Sequence, residues 1–316
     1  MSNRPDFALA IGESLIDVVP TADGPAEQHV GGSPLNVAVG LARLDRPVRF
    51  ATRYGDDERG RLIADHLTAS GVDIVAGSDG AGRTSTATVS FDGAGSAHYT
   101  FDLEWQAPPL PADAAPLVVH TGSIGATVQP GAGQVLGHLR DLAGRSTVTF
   151  DPNIRPAVIG ARQDVVTLVE QFLLLSDVVK ASDEDLAWLY PEETPHRIAR
   201  AWLRYGPSIV VVTSGADGAL LVCRDEQLVV PAPRLTIPLA DTIGAGDAFM
   251  AGLIDGLWSL GVLGGDRRAH LAAISREQLG AVAAHATKAA GVDLARPGAD
   301  PAWRRELPAA CWGAAR

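Results

Sequence analysis

Along the second half of the chain, short apolar runs alternate with amphipathic stretches. Leu117-Val-Val-His120, Thr147-Val-Thr-Phe150, Asp177-Val-Val-Lys180 and Ser208-Ile-Val-Val-Val212 read as buried strands, with helices between them near 131–143, 162–175, 183–189 and 196–205. Phe7-Ala-Leu-Ala-Ile11 reads as a first strand of the same kind. Buried β-branched runs separated by helices imply a parallel sheet covered on both faces. Ligands of such sheets bind beyond the carboxyl ends of the strands. The polar groups that close the runs are therefore the first candidates for a site: His120-Thr-Gly122, Asp151-Pro-Asn153, Lys180-Ala-Ser182 and Thr213-Ser-Gly215.

Two regions change period. Residues 83–105, around Asp92-Gly-Ala-Gly95, and residues 13–30, around Ala22-Asp23-Gly24, alternate as hairpins do. The two excursions can pair into a small β-layer, either a lid over the site or a plain edge extension. The aromatics Tyr99, Phe101 and Trp105 of the second hairpin then either line a pocket or pack the layer.

Composition narrows the partners. The formal net charge of -11 opposes general attraction to nucleic acid or anionic lipid, so any phosphate must be held locally. Cys223 and Cys311 form no Cys-x-x-Cys or Cys/His cluster, so neither a structural zinc site nor a disulfide framework is indicated, which fits a reducing cytoplasm. No basic leader is read at the N-terminus, and no apolar run approaches the ~18 residues of a membrane span.

Two glycine turns carry the chemistry. Asp241-Thr-Ile-Gly244-Ala-Gly246-Asp247 opens a strongly apolar helix, where backbone N–H groups and the helix dipole make a site for an anion. Asp247 at that mouth is either a helix cap or a base that takes a proton from an attacking hydroxyl. The dipole is expected to hold its pKa low. There is no Gly-x-x-x-x-Gly-Lys-Ser/Thr loop, and Gly244-x-Gly246 lacks the third glycine of a dinucleotide fingerprint, which disfavours a dehydrogenase. Upstream, Gly31-Gly32-Ser33-Pro34-Leu35-Asn36 starts a second, wholly apolar helix, with Ser33 read as its cap and Asn36 in its first turn as a sugar contact or a structural residue.

Gly31-Gly-Ser-Pro-Leu-Asn36 with Arg53-Tyr-Gly-Asp56-Asp57, followed by Asp241-Thr-Ile-Gly-Ala-Gly-Asp247, resembles the two signature regions of the PfkB, or ribokinase-like, carbohydrate kinases. The resemblance implies one ribokinase-like α/β domain over residues 1–316, a three-layer αβα sandwich with a mainly parallel sheet and a β-lid from about 13–30 and 83–105. It implies ATP- and Mg²⁺-dependent phosphorylation of a sugar hydroxyl, with Asp247 as base and the N–H groups from Gly244, Ala245 and Gly246 to Asp247 stabilising the transferring phosphoryl group.

By the same resemblance, Asp17, Gly31, Gly32, Asn36 and Arg155 contact the sugar, and Lys180, Ser182, Thr213, Gly215, Gly218 and Gly246 contact the nucleotide. Ser182 and Asp185 stand where many members carry Asn and Glu, so Asp185 takes the place of a water-mediated Mg²⁺ ligand. By the resemblance, the backbone carbonyls of Asp241 and Ile243, with the region near 290–299, take the place of a K⁺ site, and a homodimer through the lid is compatible with it. Asp151-Pro-Asn153-Ile-Arg155 resembles the strand end of fructokinases and 2-keto-3-deoxygluconate kinases. Gly12-Glu-Ser-Leu-Ile-Asp17 and Arg296-Pro-Gly-Ala-Asp300 favour the fructokinase branch, hence D-fructose to fructose 6-phosphate. A silent sugar or nucleotide sensor on the same fold is the alternative from a different class.

Overall fold

The computed structural model describes residues 6–21, 24–91, 97–111, 114–235 and 238–308. Thirteen strands are assigned among them: β1 Ala8–Ile11, β2 Leu15–Val19, β3 Glu27–Gly31, β4 Val48–Ala51, β5 Val72–Ile74, β6 Thr86–Phe91, β7 Ala97–Asp102, β8 Val118–Gly122, β9 Thr147–Asp151, β10 Val178–Ser182, β11 Ile209–Thr213, β12 Ala219–Cys223 and β13 Gln227–Val230. The helices are α1 Ser33–Arg43, α2 Glu58–Ala69, α3 Ser123–Thr127, α4 Gly131–Leu142, α5 Arg162–Leu173, α6 Asp183–Leu189, α7 Pro195–Trp202, α8 Ala245–Ser259, α9 Arg268–Ala272 and α10 Arg276–Asp293.

Among the described residues nine strands form the main sheet in the order β13-β12-β11-β10-β9-β8-β1-β4-β5, parallel from β11 through β5 and antiparallel at β12 and β13. Alternate residues of each strand face opposite layers. Val178 and Val211 pack with Leu35 of α1, Ile254 of α8 and Val282 of α10. Val179 and Val210 pack with Leu139 of α4, Phe172 of α5, Leu186 of α6 and Trp202 of α7. The expected three-layer αβα arrangement is therefore present. The central strands run one or two residues past the apolar runs, which makes Gly122, Asp151, Ser182 and Thr213 their last residues.

The two hairpins pair as expected. β2 and β6 run parallel and join them into a second sheet of order β3-β2-β6-β7, although the turn residues Ala22, Asp23 and Asp92 to Ser96 lie outside the described ones. Leu15 and Ala87 of this sheet pack on Ile124 of α3, with Phe101 and Val158 beside them. Phe101 thus packs the layer. Trp105 is 5% exposed and donates its indole N–H to the Gly125 carbonyl at 3.0 Å, so it packs too. The side chain of Tyr99, with Cys311, lies outside the described residues. Asp57 roots the smaller sheet: it accepts from the Thr84 N–H (2.9 Å) and hydroxyl (2.7 Å) while capping α2 through Gly60 (2.8 Å). No helix among the described residues is long and apolar enough to cross a membrane.

Candidate active site

The helix α8 packs against α1 at close range. A Cβ on Gly40 would lie 2.7 Å from the Ala251 Cβ, so the missing side chain sets the approach. That approach brings the starts of both helices together. Asp247, 6% exposed, accepts from the Ser33 hydroxyl (2.7 Å) on one oxygen and from the Asn36 amide (2.8 Å) on the other. Asn153, at the end of β9 with φ of 34°, reaches the first oxygen at 3.5 Å.

These contacts revise three expectations. Asp247 is the third residue of α8 and bonds to α1 instead of to its own helix, so it is not a cap; the N-cap is Gly244. Ser33 is not a cap either, because Gly32 holds that position and the Ser33 hydroxyl serves Asp247. The third concerns Asp247's pKa, which is raised above the usual carboxylate value, not lowered. Burial outweighs the hydrogen bonds of Ser33 and Asn36 and the charges of Lys180 and Arg155. Asn36 spends its amide N–H on Asp247 first, which gives the residue a second duty beside any sugar contact.

Gly244 takes φ of 83°, in the left-handed region that glycine tolerates, and a Cβ there would meet Ala299 at 2.6 Å. The turn leaves the N–H groups of the first helical turn without intrahelical acceptors, since the first such bond is Ala248 N–H to Gly244 C=O at 2.8 Å. Beneath this turn lies Lys180, 3% exposed, whose Nζ would stand 3.4 Å from a Cβ on Gly246 and is 2.8 Å from Asp151 Oδ2. Burial pushes Asp151 up to about 6 despite Lys180, while Lys180 stays above its ordinary value because Asp151, Asp185 and Asp247 outweigh its own desolvation. On the neighbouring strand the buried His120 is driven down to about 3 by burial and by Lys180, so the ring is neutral. A cation thus underlies an anion-shaped turn.

Asp241 fastens the turn. Its carboxylate accepts from Thr242 (2.7 Å) and Ile243 (3.0 Å) and, across to the C-terminal segment, from Gly298 (3.0 Å). These N–H groups overcome burial and lower its pKa. Beside the turn sits Asp293, 1% exposed, 3.2 Å from where a Gly244 Cβ would be. Neither of its oxygens makes a well-formed hydrogen bond among the described residues, and burial, with Asp247, Asp300 and Asp241 nearby, raises it to about 7.

At the ends of β10 and β11, Ser182 and Thr213 lie opposite each other, and Gly215 and Gly218 turn the chain after β11 with φ of 47° and 92°. Asp185 forms a capping box with Ser182, and its oxygens accept from Ile154 (2.7 Å) and Ser182 (2.9 Å). It joins β9 to β10, and each oxygen keeps one lone pair for a water.

At the opposite rim, Asp17 of β2 lies over Gly31, where a Cβ would stand 2.3 Å from its Oδ2. Burial raises Asp17 to about 6 against the pull of His29 and Arg155. The exposed Arg155 faces Glu13, Asp17 and Asp247. Of the residues singled out in the sequence, Asn36 and Asn153 meet at Asp247, Lys180 lies under Gly246, and Asp17 lies over Gly31. Glu13, Asp293 and the pairing of Ser33 with Asp247 were not foreseen, whereas Asn153 stood among the strand-end candidates. Glu13 carried a usable signal, a glutamate between apolar strands directly before Ser14-Leu-Ile-Asp17.

The comparisons with known proteins agree with this geometry. The family model described as pfkB family carbohydrate kinase matches residues 6–303. The chain is 36% identical over 262 residues to a fructokinase of Klebsiella pneumoniae, covering 80% of this chain and 84% of the relative. It is 35% identical over 265 residues to a fructokinase of Rhizobium leguminosarum, covering 79% of each. Among solved structures, a Vibrio cholerae fructokinase bound to fructose, ADP and potassium ion superposes with a TM-score of 0.74 at 27% identity, covering 95% of both chains. An ATP-bound fructokinase of Xylella fastidiosa, at 23% identity, shares the fold with a TM-score of 0.79 and 95% coverage of both. With residues 6–303 matched by the family model, the chain belongs to the pfkB family of carbohydrate kinases.

Proposed function

We propose that this kinase transfers the γ-phosphoryl group of ATP to a terminal hydroxyl of D-fructose, giving fructose 6-phosphate. The observation that carries the reading is Asp247, buried and held on both oxygens by neutral donors, at the mouth of an N–H-lined turn with Lys180 below it. Ser33 and Asn36 aim the carboxylate without adding positive charge, so it remains able to take the hydroxyl proton. The first-turn N–H groups and Lys180 meet the charge on the transferring phosphoryl group, where a loose transition state needs positioning and electrostatic support most.

Asp17 with Gly31 beside it, and Gly32 and Asn36 at the start of α1, receive sugar hydroxyls. The charge balance favours a neutral sugar: Glu13, Asp17 and Asp247 all feel the charge of Arg155, and three acids against one cation disfavour a further carboxylate. The relatives named as fructokinases, and the fructose and ADP of the Vibrio cholerae structure, support the same choice.

Mg²⁺ bound with ATP supplies neutralisation of phosphate charge, and the free lone pairs of Asp185 fit a water in its shell. The uncompensated Asp293 beside Asp241 and Ile243 fits a K⁺ ion behind the turn. In this reading the smaller sheet is the lid, and two copies associate through it. ADP release measured with fructose, 2-keto-3-deoxygluconate, ribose and nucleosides tests the substrate. Fructose should give the highest kcat/KM; turnover of the keto acid with none of fructose would overturn the choice, and binding without any turnover would make the chain a sensor.

A further inference from the structure

Glu13 is a buried carboxylate to which the catalytic reading gives no task. It is 4% exposed and stands two residues before lid strand β2. Two helices begin beside it, α1 and α3, and both start on glycine, Gly32 and Gly122, with no capping side chain and no acid in the first turn. Glu13 supplies what both lack. Its Oε2 accepts from the Gly125 N–H at 2.6 Å and its Oε1 from the Ser33 N–H at 3.3 Å, with the Ser123 hydroxyl also on the carboxylate. The fit is close: a Cβ on Gly125 would lie 3.1 Å from Oε2 and 2.7 Å from the Gly12 Cα. Ser33, held through its N–H by Glu13, holds Asp247 through its hydroxyl at 2.7 Å.

We propose that Glu13 is a positioning residue for phosphoryl transfer, fixing Ser33 so that the Ser33 hydroxyl sets the angle of the Asp247 carboxylate toward the sugar hydroxyl. The inference rests on Asp247 acting as the base. Anchoring at the root of β2 also ties this angle to the strand that carries Asp17, so that sugar contact and base alignment share one support. A glutamate that only capped helices would change stability and leave the chemical step alone.

Glu13→Gln keeps the size but turns an NH₂ donor toward a backbone N–H. It should lower kcat about tenfold and leave KM for ATP within about twofold. Ser33→Ala should show the same split. The double variant should be no slower than the slower single, because both act through one contact. A kcat for Glu13→Gln close to that of the unaltered enzyme, or a double variant whose loss is the product of the two, overturns the proposal. If Glu13→Gln does not fold, Ser33→Ala decides: an unchanged kcat there breaks the link. All rates are taken with whichever sugar the unaltered enzyme phosphorylates, so a wrong choice of fructose appears as absent turnover of that sugar and not as a failure of Glu13.

Discussion

Helix α8 carries two buried aspartates eight residues apart, and they are built in opposite ways. Asp247, near its start, is held by a hydroxyl and an amide, and burial leaves its pKa raised. Asp255, 0% exposed in the second half, accepts from Arg46 Nε (2.6 Å), Arg304 Nη2 (2.6 Å) and Nη1 (2.9 Å), and His285 Nε2 (2.7 Å). There burial is more than offset by His285, Arg304 and Arg46, and the pKa falls far below the usual carboxylate range. The same side chain in the same helix keeps a raised proton affinity when its partners are neutral and is a fixed anion when they are cations. Asp255 ties the α1–β4 turn, α10 and the C-terminal segment to α8, and so fixes the helix that carries the proposed base at its other end.

Substituting each in turn should separate the two roles. Asp247→Asn is expected to lower kcat by roughly 10²- to 10⁴-fold, about 3 to 5 kcal/mol, with little change in KM for ATP. Its Tm should not fall, because the neutral amide is easier to bury than the carboxylate it replaces. Asp255→Asn should do the reverse. It leaves two guanidinium groups without their buried counter-ion and should cost about 3 kcal/mol of stability, read as a Tm lower by several degrees. Its kcat, measured well below Tm, should stay within about threefold. A catalytic loss at Asp255 as large as that at Asp247 would erase the distinction.

The two halves of the helix were not equally legible. Gly244-Ala-Gly246-Asp247 is local, so the anion turn and its aspartate could be read from spacing. The strand ends Asp151, Lys180, Ser182 and Thr213 followed from the rule for parallel sheets, and the α/β order from apolar periodicity. What Asp247 bonds to could not be read, because Ser33 and Asn36 lie 214 and 211 residues away in sequence. The sign of its pKa shift failed for a related reason: a dipole is visible in a helix start, whereas burial depends on the whole fold. Asp255 did leave a trace, a lone acid within Leu253-Ile-Asp-Gly-Leu257, which in a helix apolar on nearly every side demands a buried cation. The antiparallel pair β12 and β13 went unread because its short apolar runs lack the helix spacers that marked the other strands.

Asp293 sharpens the comparison from a third side, since among the described residues no cation pairs with it and the Asp300 N–H is its one weak donor, and burial raises it to about 7. A carboxyl with a raised folded-state pKa binds its proton more tightly in the native state than in the unfolded one. Stability from this group is therefore full below about pH 4 and is lost as pH rises to about 7. Asp293→Asn removes that loss. The variant and the unaltered protein should melt together near pH 4.5, while at pH 8 in a large organic cation the variant should melt higher by about 3 °C. If K⁺ occupies the space between Asp293, Asp241 and Ile243, adding it at pH 8 should raise the Tm of the unaltered protein toward that of the variant and leave the variant nearly unmoved. A gap of equal size in K⁺ and in the organic cation would mean that the carboxylate meets no ion, and that α8 tolerates near its catalytic end a buried charge that nothing offsets.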